Sequence, residues 1–311
     1  MPTAPSAPSE DEVIAWFDSL SNWGRWGPGD ELGTLNLITP EVRKKAVATV
    51  ADGLAVSCSW DVPAGPVGLE RTVTAVDLAA DSRGRIGWSL EQITGWAFHG
   101  YAITHLDALC HIFWDGHMYN GRPTDLVSDA EGARQLAITD AGGGMATRGV
   151  LLDVARVRGV PWLEPGDGAY PSDLDAAEAS QGVRVEPGDG VLLRTGYGRW
   201  RHETGKVSPM EAGITQPGWQ AACLPWLWER GVSFIGCDTA NDVSPSGYTQ
   251  IALPVHVIGL VAMGLWLVDN CDLEELAATA ERLGRWEFLL SVNPLRLTGL
   301  TGSAVNPIAM F

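Results

Sequence analysis

The segment from Gly95 to Gly121, GWAFHGYAITHLDALCHIFWDGHMYNG, holds four of the chain's six histidines, His99, His105, His111 and His117, with Asp107 among them. Every second position reads Ala97, His99, Tyr101, Ile103, His105, Asp107, while Trp96, Phe98, Gly100, Ala102, Thr104 and Leu106 between them are mostly apolar or small. A period of two predicts a β-strand that carries His105 and Asp107 on one face. On a helix of 3.6 residues per turn the two would stand about 200° apart and could hardly share a ligand. The strand therefore makes His-x-Asp a two-toothed chelate, and the spacing to His111 suits a chain that turns back across the same site.

Imidazole and carboxylate together suit zinc or manganese. A second pair lies far along the chain. Pro254 predicts a helix with His256 in its first turn, running to about Gly264, and LWLVDN after it reads as a strand. A ten-residue helix advances about 15 Å and five strand residues return about 16 Å, so Asp269 comes back beside His256. One helix throughout would instead set the two about 220° apart.

The block THLDALCH, the later LPVH and the tail GSAVNP resemble the cyclase family of metal-dependent hydrolases, whose relatives include bacterial kynurenine formamidase and isatin hydrolase. The likeness runs over most of the chain, from about Trp23 to Pro307. It implies a single-domain swivelling β/β/α fold of the α/β class over residues 10–311, while residues 1–9, rich in Pro, Ser and Ala, read as a mobile tail. The family pattern is His-x-Gly-Thr-His-x-Asp-x-Pro-x-His. His105 and Asp107 match two metal ligands, His111 matches the last histidine, an acid/base or a ligand in such families, and His256 matches a further ligand or base. Asp269 stands where relatives carry a glutamate, one methylene longer. Tyr101 occupies the place of the first histidine, while Ile103 and Leu109 replace the glycine and the proline. His99 lies two residues early but on the same strand face, so one metal ion is expected. The resemblance also places NWGRWGPGDELGTLNLIT, with Trp23 and Trp26, at the substrate mouth, and it implies homodimers or homotetramers.

The 311 residues, 45% of them apolar, can build a substantial core. A net charge of −17 disfavours nucleic acid and anionic membranes as partners. Five scattered cysteines without a C-x-x-C pair suggest neither a disulfide framework nor a thiolate zinc site. MPTAPSAPSEDE has no basic region followed by an apolar run, and the most apolar stretch, Ile251 to Val268, is broken by Pro254, His256 and two glycines. A cytoplasmic protein is expected. Fourteen tryptophans can serve subunit interfaces or an aromatic substrate pocket.

Ser9 or Glu10 opens a helix towards Asn22, and Thr39-Pro40 caps another to about Val50. A strand is expected at Ala55–Trp60, and Val62 to Ile86 reads as loop-rich. GVLLDV from Gly149 and GVLLR from Gly190 are buried strands opened by glycine. PGWQAACLPWLWERG predicts a helix from Pro217, kinked at Pro225 and ended by Gly231. Val232–Cys237 is a further strand, and Asp238-Thr239 at its C-terminal end occupies a common place for functional groups. Asp272 and Glu275 suggest a capping box for a helix to Leu283, Arg285–Val292 a last strand, and the remainder a loop.

A cation beside His105 and Asp107 supports hydrolysis, by polarising a carbonyl and making bound water more acidic. His111 and His117 are the candidate acid/bases, Tyr101 a donor to a substrate oxygen, and His99 a substrate-binding residue. No G-x-S-x-G elbow supports serine chemistry, and Gly142-Gly143-Gly144 lacks the context of a phosphate loop. The expected activity is metal-dependent hydrolysis of a small, aromatic or cyclic amide, lactam or ester. Alternatives are a cyclase or dehydratase using the same metal, and a non-catalytic small-molecule binder on the same fold.

Overall fold

The computed structural model describes residues 6–62, 69–77, 87–205 and 215–311. Four apolar runs form the middle of a nine-stranded sheet: Met145–Asp153, Gly190–Arg194, Phe234–Cys237 and Trp266–Asp269 lie side by side, all parallel. The last three are buried along their whole length, as expected of strands covered on both faces. Glu287–Val292 flanks Met145–Asp153 antiparallel, followed outward by Ile308–Met310 and Ala55–Ser57. On the other side His105–Asp107 pairs antiparallel with Trp266–Asp269 and, at its free edge, with Gly302–Ala304.

Gly190 opens its strand as expected, whereas the strand expected from Gly149 begins four residues earlier, at Met145; both glycines make room for aromatic rings. Gly149 and Gly190 sit opposite each other in register. A Cβ on Gly149 would come 2.4 Å from the Phe288 ring, and one on Gly190 would come 2.4 Å from Phe234. Both phenylalanines are fully buried, so the small residues on one strand and the large ones on its neighbours interlock.

The helix ends follow local chemistry. Glu10–Ser19 starts on a capping box formed by Ser9 and Glu12, and Thr39 caps Pro40–Val47 with Pro40 at its first position. Of the expected tail, residues 1–5 lie outside the described ones, whereas the Pro8 carbonyl accepts a hydrogen bond from Tyr248 Oη at 3.1 Å. The helix expected from Pro217 begins at Cys223; Gly218–Trp219 forms a short strand instead. Pro225 thus falls in the first turn, where no intrahelical N–H is needed, and it causes no kink. Glu274–Leu283 forms without the expected capping box, its N-cap being Leu273, although Asp272 Oδ1 accepts from Glu274 N at 3.3 Å.

Three stretches differ from expectation. Within the loop-rich region, Leu69–Asp77 is a strand paired with Gly87–Trp96, while residues 63–68 and 78–86 lie outside the described set. The terminal stretch supplies two strands of the main sheet, three residues each, too short to show periodicity. The strand expected from Ala97 to Asp107 is confined to His105–Asp107: the chain bends through residues 99–103, with Gly100 at φ 130°, a conformation open to glycine. Asn270 Nδ2 holds that bend, donating to the carbonyls of Gly100 at 2.7 Å and Ile103 at 3.2 Å. All five cysteines are buried and free. Among the described residues no helix is long and apolar enough to cross a membrane.

Candidate metal centre

The three-residue strand His105–Asp107 places both side chains on one face, and both are buried. Its partner strand brings Asp269 opposite His105 in register. His256 arrives from the first turn of a helix that begins at Pro254 and continues as a π-helix over Val257–Met263, ended by Gly264 in the left-handed conformation. The helix leads away and Trp266–Asp269 returns, so His256 Nε2 stands 3.4 Å from Asp269 Oδ2. His99 swings in from the bend, and its ring fits because Gly302 has no Cβ; one would lie 2.6 Å from His99 Cε1.

Four histidines converge on Asp107. His99 Nδ1 lies 3.1 Å and His105 Nε2 3.4 Å from Oδ1, His256 Nε2 3.4 Å from Oδ2, and His111 Nε2 4.0 Å from Oδ1. The tautomers of two rings follow from their other nitrogens. His105 Nδ1 is 2.8 Å from the Ile103 carbonyl and His256 Nδ1 is 2.6 Å from Asp242 Oδ2. Both partners only accept, so both Nδ1 atoms carry a proton, and in the neutral ring each Nε2 turns a lone pair towards Asp107 and Asp269.

Lone pairs facing buried carboxylates call for a positive charge between them, a metal ion or, without one, a proton on the imidazole. Among the described residues, both oxygens of Asp107 are buried without a hydrogen-bond partner. The proton affinities tell the same story. Burial opposes a charge on His105, yet Asp107 and Asp269 lift it to about 9. His256 is driven well above the usual histidine range against its burial by Asp269, Asp107 and Asp242. Despite the cost of burial, His111 and His105 hold Asp107 well below the usual carboxylate range. Burial, reinforced by the other histidines and resisted by Asp107, pushes His111 down to about 4. The donor set fits a divalent metal: His105, Asp107 and Asp269 offer ligand atoms within 4.8 Å of one another, and His99, Asp107 and His111 form a second such set around the shared carboxylate.

A cavity of about 130 Å³ opens on this cluster, lined among others by Tyr101, His105, His111, Ile112, Gln216 and His256. His111 lies on its wall, one face stacked on His99 with ring centroids 4.0 Å apart and planes 1° from parallel. Tyr101 also lines it; burial and the nearby Asp269 and Asp242 raise its phenol, against the pull of His256, so it stays a donor. His99 does not reach the cavity wall. Its Nε2 is 3.1 Å from Thr301 Oγ1 and its ring backs His111.

The other expected site residues lie elsewhere. His117 lines a separate surface hollow with Phe17, Trp23 and Trp114, its Nδ1 on the Asp115 carbonyl at 2.7 Å. A hairpin turn explains the separation: His117 and Trp114 exchange backbone hydrogen bonds across Asp115-Gly116, both at positive φ, and this carries His117 away from Asp107. Trp23 anchors its loop by donating from Nε1 to the Val261 carbonyl at 2.6 Å, and Trp26 packs under the Arg25 guanidinium, so neither faces the cluster. Asp238 is a capping residue. Its carboxylate accepts the backbone N–H groups of Thr195, Gly196 and Tyr197 at the start of the helix Tyr197–Thr204. Asn241, Asp242 and Gln216, which line or brace the site, belong to no spacing pattern that a single sequence displays.

A family model described as "Putative cyclase" matches residues 32–241 of the chain. The chain belongs to the cyclase family. Among solved structures this cyclase-family protein is similar to one described as a novel cyclase, at 29% identity and a TM-score of 0.83 over 94% of this chain and 100% of that one. Isatin hydrolase A from Ralstonia solanacearum matches at 20% identity and a TM-score of 0.54 over 87% of this chain and 97% of that one. Isatin hydrolase A from Labrenzia aggregata, bound to benzyl benzoate, matches at 15% and 0.54 over 85% and 94%. The isatin hydrolases share the fold with this chain. No curated protein matches it.

Proposed function

We propose that the protein is a metal-dependent hydrolase of a small amide, lactam or ester. The observation that carries this reading is Asp107, a fully buried carboxylate with two unpartnered oxygens amid four histidines, three of which, His105, His111 and His256, line a cavity. His105, Asp107, His256 and Asp269 would hold one zinc or manganese ion. Bound there, it supplies Lewis acidity towards a carbonyl oxygen and acidity to water.

The rest of the chemistry falls to the chain. His111, on the cavity wall and neutral because of its burial, accepts a proton from water and returns it to the leaving nitrogen or oxygen. The stack on His99 fixes the plane of that ring. Tyr101 donates to a substrate oxygen, and Ile112 and Leu253 shape the apolar side of the cavity. The isatin hydrolases are named for a cyclic amide, and that name supports a lactam among the candidate substrates. Trp23 and Trp26, expected at the substrate mouth, do not line the cavity, so selectivity falls to the residues of its wall.

Incubating the metal-loaded protein with a panel of small amides, lactams and esters, and with the corresponding open-chain acids, tests the proposal by product mass. Gain of one water on a member of the panel is the expected result. Loss of one water from an open-chain acid, with no hydrolysis of any member, would replace it by dehydrative ring closure.

A further inference from the structure

The neighbours Asn241 and Asp242 each touch one residue of the proposed metal centre. Asp242 is fully buried; its Oδ1 accepts from Val255 N at 2.7 Å, and its Oδ2 accepts from His256 N at 3.0 Å and from His256 Nδ1 at 2.6 Å. One carboxylate thereby fixes the start of the helix, the tautomer of the imidazole and the aim of Nε2. Asn241, also fully buried, donates from Nδ2 to Asp269 Oδ1 and to the Val268 carbonyl at 3.1 Å. Two acceptors on one nitrogen determine the orientation of the amide. With Oδ1 of Asp269 engaged, its Oδ2 is the oxygen left facing His105 and His256, at 3.8 and 3.4 Å.

The platform is held by hydrogen bonds on both of its residues. Asn241 sits at φ 47°, in the left-handed region that asparagine tolerates better than most residues. Trp219 N donates to its carbonyl at 2.7 Å, Gln216 Nε2 donates to the Asp242 carbonyl at 2.9 Å, and Gln216 and Ser244 exchange backbone hydrogen bonds at 2.9 and 3.0 Å. Gly218 allows this approach, since a Cβ there would lie 2.3 Å from the Asn241 carbonyl oxygen. His256 on a helix and Asp269 on a strand, well separated in the chain, are thus aimed by two consecutive residues of one clamped loop.

We infer that Asn241 and Asp242 are positioning residues that set the metal affinity of the centre by orienting Asp269 and His256. The inference rests on the metal-centre reading above. Groups that orient a ligand in this way typically govern about 10–100-fold of metal affinity.

The test measures zinc affinity of the full chain, stripped with a chelator, by competition with a chromophoric chelator, alongside the melting temperature of the metal-free protein. Asp242→Asn cannot offer acceptors to all three N–H groups, and Asn241→Gly keeps the left-handed backbone while removing the amide. Each is expected to weaken zinc binding by about 10–100-fold, with Asp242→Glu recovering part of the loss. Asp238→Asn, which alters a buried carboxylate of the same region that caps a helix, is expected to lower the melting temperature and leave zinc affinity unchanged. Unchanged zinc affinity in Asp242→Asn and Asn241→Gly would overturn the inference and leave the hydrolase reading standing; should Asp242→Asn not fold, Asn241→Gly alone decides in the same way. An equal loss in Asp238→Asn would also overturn it, by showing that any disturbance of the region weakens the site. A wild-type protein that binds no zinc or manganese would overturn both readings.

Discussion

Replacing His111 with alanine is expected to lower kcat by about 10²–10⁴-fold, the range for loss of a positioned general acid–base. His111 is the cavity-wall histidine whose ring nitrogen is least engaged: Nε2 stands 4.0 Å from Asp107, whereas His105 and His256 lie closer to the carboxylates and have their other nitrogen bonded. Its substitution removes a proton carrier and leaves the four proposed ligands in place. Metal content should therefore stay at the wild-type level while turnover falls, and single-turnover kinetics on the metal-loaded variant check both. A variant that loses its metal along with its activity would make His111 a ligand. His117→Ala, by contrast, should leave kcat unchanged, because that ring lies in a different hollow.

The second large effect concerns stability. Phe234→Ala is expected to cost about 3–5 kcal/mol, the range for emptying a fully buried aromatic position. Phe234 lies on a central strand, and its ring occupies the space above Gly190, which has no side chain of its own to fill the hole. The cost should appear as a lower midpoint in urea unfolding with the slope unchanged. A loss below about 1 kcal/mol would mean that the sheet relaxes into the void, contrary to the close packing described.

Those two sites also mark how far the sequence can be read. The glycine-opened runs at Gly149 and Gly190 announce buried strands, since apolar runs of that length between breakers have few other homes. The phenylalanines that fill the glycine gaps come from strands distant in sequence, and no local pattern pairs them. Likewise His-x-Asp on a strand, and the helix-then-strand return from His256 to Asp269, follow from the rise per residue alone. The bend at residues 99–103 does not show, because the alternation of His99, Tyr101 and Ile103 continues through it; the hydrogen bonds from Asn270, a long-range contact, override the local period. His99 still reaches Asp107, by a route other than a shared strand face. His117 follows the Asp115-Gly116 turn, and that turn, not its distance along the chain, separates it from the cluster.

The terminal strands are hidden for a different reason. Gly302–Ala304 and Ile308–Met310 have three residues each, and they are strands because they pair with His105–Asp107 and Glu287–Val292. Asn241 and Asp242 are equally silent. Their importance lies in what they touch, across gaps of 28 and 14 positions, and not in their own spacing.

Asp107, buried among four histidines, is proposed to hold a metal cation. Elemental analysis of the protein purified without an affinity metal, for wild type and Asp107→Ala in parallel, tests it most directly. One zinc or manganese ion per wild-type chain and none in the variant is the expected result. A wild-type protein that carries no metal and takes up none when zinc or manganese is added would contradict it.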